Sequence, residues 1–139
     1  PKKFIILNNA SGFKLNTIFL IFIGAGIGGV LRYAISTGIY NLLNQNFPYG
    51  TLVVNVSGSL LMGFLFVLIL ERFQTTAPQL RALLLIGFLG GYTTFSSFSI
   101  ETINLIENGS WLPAVLNVLL STILCLTATL VGVILGRNL

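Results

Sequence analysis

Apolar residues run along this chain in long blocks, separated by short clusters of polar and charged positions. The stretches without any charge cover 15–31, 33–70, 82–100 and 108–136. A helix needs about 20 apolar residues to cross a hydrocarbon core of roughly 30 Å. The block 33–70 is too long for one crossing, and Asn44-Gln45-Asn46-Phe47-Pro48-Tyr49-Gly50 interrupts it with turn residues. The pattern predicts four membrane-spanning helices at about 16–42, 50–70, 82–106 and 111–136, after an N-terminal segment 1–15. None of the blocks alternates as transmembrane strands do, in segments of about ten residues. The fold class is all-α integral membrane.

Composition turns this pattern into an exclusion. Only 7% of the 139 residues are charged, against about 25% in soluble domains. Hydrophobic residues make up 55%, and the mean hydropathy is +0.96. A soluble protein of this size has too little interior to hide that much apolar surface. There is no His, and the single Cys125 has no partner for an intrachain disulfide. The commonest general base is therefore absent. Glu71, Glu101 and Glu107 are the whole supply of carboxylates, too few for hydrolytic or redox chemistry. The chain reads as no enzyme. Pro1 is not an initiator residue, so the first residue is expected to be missing. Lys2, Lys3 and Lys14 ahead of an apolar stretch mimic a secretory leader, but three more spans follow, and 16–42 reads as an uncleaved anchor.

Charge also predicts orientation. With four spans, the N-terminus, the loop 71–81 and the C-terminus share one side. That side holds Lys2, Lys3, Lys14, Arg72, Arg81 and Arg137, and the loops 43–49 and 107–111 hold no basic residue. The positive-inside rule puts both termini in the cytoplasm, with a bacterial inner membrane as the expected location.

Within the spans, small and polar residues are spaced as if for contact. Gly24 and Gly28 make a GxxxG step, and Ala25 and Gly29 repeat it one residue along. Such steps let backbones approach closely, within the chain or between subunits. Arg32 lies deep in the first span and needs a partner or a route to water. Glu101 sits at similar depth in the third span, so a buried Arg32–Glu101 pair and snorkelling of Arg32 are both open. Asn55, Ser59 and Gly63 share one face of the second span, and Asn117, Ser121 and Cys125 share one of the fourth, drifting toward Thr129. Isolated hydroxyls can bond their own helix backbone, but an Asn side chain is harder to satisfy that way. Two such rows suggest the wall of a polar path.

The third span is poor helix material at its centre. Gly90 and Gly91 are followed by β-branched Thr93 and Thr94. A non-helical segment is expected around 90–94, where freed carbonyls and amides must meet an ion, water or protein. Phe95 and Phe98 follow three residues apart on one face, with Ser96, Ser97 and Ser99 beside them. Their alternatives are the pore and plain packing against lipid.

Three stretches together resemble the Fluc fluoride channels, also called the CrcB family. They are Gly24-x-Gly26-x-Gly28-Gly29-x-Leu31-Arg32-Tyr33, then Gly50-Thr51-Leu52-x-Val54-Asn55-x-x-Gly58-Ser59, then Gly87-Phe88-x-Gly90-Gly91-x-Thr93-Thr94-Phe95-Ser96-Ser97-Phe98-x-x-Glu101. They occur in the family's order within 24–136. The resemblance implies a fluoride-selective channel for passive export, which lowers cytoplasmic fluoride toxicity. It implies an antiparallel, dual-topology dimer of four-helix subunits with the third helix broken mid-membrane. By the same resemblance, carbonyls of Gly90 and Thr93 would hold a structural Na⁺ at the dimer interface. Asn55, Phe95, Phe98, Ser96, Asn117 and Ser121 would line the fluoride pore. The family often has an aromatic hydroxyl where Asn117 aligns.

A basic count of six against zero fits one insertion direction, whereas an antiparallel homodimer needs two. A heterodimer with an oppositely biased homologue is the alternative assembly. The alternative function is a small multidrug-resistance-type cation/proton exchanger, also a four-span protein. It needs an ionisable carboxylate deep in its chamber, and Glu101 is the one candidate.

Overall fold

The computed structural model describes residues 14–139, so the expectations resting on Lys2 and Lys3 lie outside the described residues. Every regular element among the described residues is helical. Helix α1 is Leu15–Leu42 and α2 is Tyr49–Arg72. Helix α3 begins at Ala77–Leu80, continues through Arg81–Leu89 and ends with Gly90–Tyr92. After a break, α4 is Phe95–Glu107, and α5 is Trp111–Asn138. Among the described residues four helical runs are long and apolar enough to cross a membrane, with α3 and α4 counting as one. The expected spans match these runs to within a turn or so. Helix α4 ends at a tight turn in which Gly109 takes φ 73°. Ser110 N donates to Leu105 O at 2.8 Å and Gly109 N to Ile106 O at 2.9 Å, the pair of bonds that closes a helix through a left-handed residue.

Glycines set the packing. Helix α1 lies on α3, and α2 lies on α5. A Cβ on Gly24 would strike Leu83 O, and one on Gly28 would strike Phe88 O. In the second pair, a Cβ on Gly132 would meet Leu60 O, and one on Gly136 would meet Phe64 O. Residue numbers rise together along both contacts, so each pair runs parallel. Lipid offers no hydrophobic drive for helices to associate, so close backbone approach supplies dispersion contacts instead. The Gly24/Gly28 step is thus used within the chain. Gly26 and Gly29 face open space. Between the pairs lies a small core of Val54, Ile69, Leu85, Leu89 and Tyr92.

The break falls after the glycines rather than on them. Gly90 is helical, with φ −63° and ψ −37°. Thr93 and Thr94 are extended, at ψ 158° and 115°. Gly91 is small for another reason, since a Cβ there would strike Ala25 O on α1. The β-branched threonines favour extended backbone, and their hydroxyls satisfy the ends they create. Thr93 Oγ1 donates to Leu89 O at 2.9 Å, and Thr94 Oγ1 accepts from Ser97 N at 3.1 Å. The latter caps the N-terminus of α4.

Candidate functional site

A groove of about 390 Å³ opens beside the break, between α2, α4 and α5. Asn55, Gly58 and Ser59 come from α2, Phe95 and Phe98 from α4, and Ser121, Cys125 and Thr129 from α5, with Thr93 and Thr94 at one end. Asn55 and Ser59 of the first polar row therefore meet Ser121, Cys125 and Thr129 of the second at one site, while Gly63 packs against α5 instead. The Phe95 and Phe98 rings stand 5.3 Å apart at an angle of 42°. Phe95 is 79% exposed, so its ring edge is open for contact.

Asn55 holds the break rather than only lining the groove. Its Nδ2 donates to Thr94 O at 2.9 Å, and its Oδ1 accepts from Thr94 N at 2.8 Å. Among the described residues, the second N–H of the amide has no partner. Each bond takes a group that a continuous helix would use itself. In such a helix Thr94 N would serve Gly90 O, and Ser97 N would serve Thr93 O. Thr94 N instead goes to Asn55, and Ser97 N goes to the Thr94 hydroxyl. The carbonyls of Gly90 and Thr93 are thereby released from their usual donors, and Gly90 is exposed. Backbone oxygens are hard ligands of the kind that suit Na⁺ or a similar cation. Among the described residues no cluster of His, Cys, Asp or Glu makes a side-chain metal site. The donor set around the break thus fits a carbonyl-bound cation.

Three sequence expectations end elsewhere. Asn117 is only 2% exposed and does not reach the groove. Its Nδ2 donates to Thr102 Oγ1 at 2.9 Å, and its Oδ1 accepts from Ser121 Oγ at 3.4 Å. The contact between α4 and α5 encloses it, because an amide in hydrocarbon takes the partners nearest to it. Ser96 lies outside the groove and exposed, within 3.2 Å of the Thr94 hydroxyl.

The Arg32–Glu101 pair does not form. Arg32 Nη1 donates instead to Thr93 O at 3.4 Å, a carbonyl that the break has freed. Glu101 Oε1 accepts from Thr51 Oγ1 at 2.8 Å and from Tyr40 OH at 3.0 Å. Both residues line one cavity of about 260 Å³ on the other side of the break. Tyr40, Thr51 and Thr102 were not singled out from sequence. Thr51 sits inside the second family-like stretch, but no spacing rule ties it to a carboxylate fifty residues away.

The chain is similar to known proteins over most of its length. The family model described as "CrcB-like protein, Camphor Resistance (CrcB)" matches residues 19–133. A Coxiella burnetii protein called fluoride-specific ion channel FluC is 59% identical over 122 residues, covering 88% of this chain and 98% of that one. A Methylococcus capsulatus protein of the same name is 53% identical over 123 residues, covering 88% of this chain and 54% of that one. One from Magnetococcus marinus is 47% identical over 115 residues, covering 83% and 93%.

Proposed function

The chain belongs to the CrcB family, and from that premise we propose that it is a fluoride-specific channel carrying the ion passively across the membrane. The observation that carries this reading is the groove, which a clamped helix break, two phenylalanine rings and a line of hydroxyls share. Fluoride holds its water tightly, so it enters only where protein donors replace that water. Ring edges carry partial positive charge. The free N–H of Asn55 and the hydroxyls of Ser59 and Ser121 are true donors. Among the described residues no cationic side chain lines the groove, which suits conduction, since an ion must leave as readily as it enters. The Arg32 charge lies behind the break, on Thr93 O. Glu101, the deep carboxylate that a cation/proton exchanger would use, lies outside the groove with two hydroxyls on it.

The working unit is an antiparallel dimer, with a structural Na⁺ bound by Gly90 and Thr93 carbonyls between subunits, in a bacterial inner membrane. Several features support this assembly. Gly26, Gly29, Gly90 and Phe95 are uncovered in the single chain, and the released carbonyls fit a hard cation. The Gly90 and Thr93 carbonyls would hold the ion, and when bound it would supply positive charge to offset their dipoles.

The test is fluoride efflux from liposomes containing the purified protein, with chloride as control. Fluoride release without chloride release is the expected result. No fluoride release, or proton-coupled uptake of organic cations, overturns the reading.

A further inference from the structure

The hydroxyls on α5 that line the groove are not held alike. Thr122 Oγ1 donates to Val118 O at 2.7 Å, and Thr129 Oγ1 donates to Cys125 O at 2.9 Å. Both bonds are short and go to the helix's own backbone, so those protons are committed. Ser121 instead donates to the Asn117 side chain, at 3.4 Å. An O–H···O bond is ordinarily about 2.7–2.8 Å, so this one is stretched and weak.

The direction of that bond follows from the residues behind it. Thr102 Oγ1 donates its single proton to Phe98 O at 2.7 Å. It can then only accept from Asn117, so the amide nitrogen faces Thr102 and the amide oxygen faces Ser121. Asn117 is enclosed, and this bond fixes its amide. We infer that Asn117 is a positioning residue: oriented by Thr102, it parks the Ser121 proton on a weak acceptor, from which that proton turns to fluoride in the groove. Without the amide oxygen, Ser121 takes the backbone carbonyl four residues back, as Thr122 and Thr129 do. The groove then loses a donor. The inference rests on the fluoride-channel reading and adds a residue that does not touch the ion.

The experiment is planar-bilayer recording of fluoride current against fluoride concentration, for the parent, Asn117→Leu, Thr102→Val, Ser121→Ala and the two double variants with Ser121→Ala. Gel filtration of each variant checks its assembly. The expected result is a half-saturating concentration raised about three- to tenfold by Asn117→Leu and by Ser121→Ala, the size of one hydrogen bond. Thr102→Val, which removes no groove residue, raises it by a smaller factor. In the Ser121→Ala background neither Asn117→Leu nor Thr102→Val adds anything. Effects that multiply in the double variants mean that Asn117 only supports the fold, and they overturn the relay. Unchanged half-saturation in Asn117→Leu overturns it too. A parent that carries no fluoride current overturns the channel reading and the relay together, whereas a conducting parent with multiplying variants overturns the relay alone.

Discussion

Asn55 and Thr94 are joined twice, amide oxygen to backbone N–H and amide nitrogen to backbone carbonyl, at 2.8 and 2.9 Å. One side chain on α2 thereby stands in for a neighbouring strand and holds two residues of the broken helix extended. Asn55→Leu removes both bonds, a loss of about 1–3 kcal/mol. Thermal melting in detergent should show the loss, and fluoride flux should fall with it. A variant that melts and conducts like the parent means that the break stands without the clamp.

The Phe95 and Phe98 rings line the groove. Phe95→Ile and Phe98→Ile keep bulk and apolarity but remove the partial positive edge. Each should cut fluoride flux while leaving membrane insertion and dimer formation intact. Parental flux in both variants would assign the rings to lipid packing.

The glycines of α1 divide into two kinds. Gly28→Ala drives a methyl into Phe88 O, a case of overpacking that costs about 1–3 kcal/mol. Gly26→Ala meets nothing among the described residues and should leave melting of the isolated subunit unchanged. Gly26→Leu should weaken dimerisation, measured by subunit exchange between fluorescently labelled proteins. An unaffected dimer places the subunit contact on another face.

Glu101 Oε1 serves two hydroxyls, while Oε2 is buried without a partner among the described residues. Glu101→Gln keeps the accepting oxygen and should melt close to the parent. Glu101→Ala strands Tyr40 and Thr51, and should lower stability by about 1–3 kcal/mol. Equal losses in both variants mean that the negative charge matters more than the accepting oxygen.

The basic bias predicts that this chain, expressed alone in cells, inserts mostly one way and needs an oppositely biased partner for full activity. Single-cysteine variants labelled from each side of the membrane test this. Equal labelling from both sides, together with full fluoride resistance of a sensitive host, shows that the homodimer suffices.

The spans were legible because hydrocarbon demands long apolar runs, and the charge pattern leaves few ways to cut them. The location of the break was only half legible. Gly90-Gly91 and Thr93-Thr94 both read as poor helix, and only the tertiary fold separates them, since Gly91 stays helical against Ala25 while Asn55 draws Thr94 away. The groove residues Asn55, Ser121 and Phe98 were visible through helical spacing and family likeness. Asn117 lay on the same row and failed, because spacing along a helix gives a face and the packing of α4 decides which part of that face is covered. Arg32 and Glu101 do line one cavity, but an expected common depth says nothing about Tyr40 and Thr51 standing closer.

Helix α3 carries one more feature with consequences for the gene. Over Arg81–Leu89 its backbone bonds reach five residues back, as from Gly90 N to Leu85 O, so each turn holds more residues than an α-helix does. Removing one residue there would let the turns tighten toward the ordinary pitch, and the tightening offsets the swing of about 100° that a deletion from an ordinary helix imposes on everything downstream. Thr94 would then stay within reach of Asn55. A deletion between Phe95 and Glu107, where no wide turn can absorb it, would rotate the rest of α4 in full. Descendants of this sequence should therefore tolerate a single-codon deletion between Arg81 and Leu89 better than one between Phe95 and Glu107.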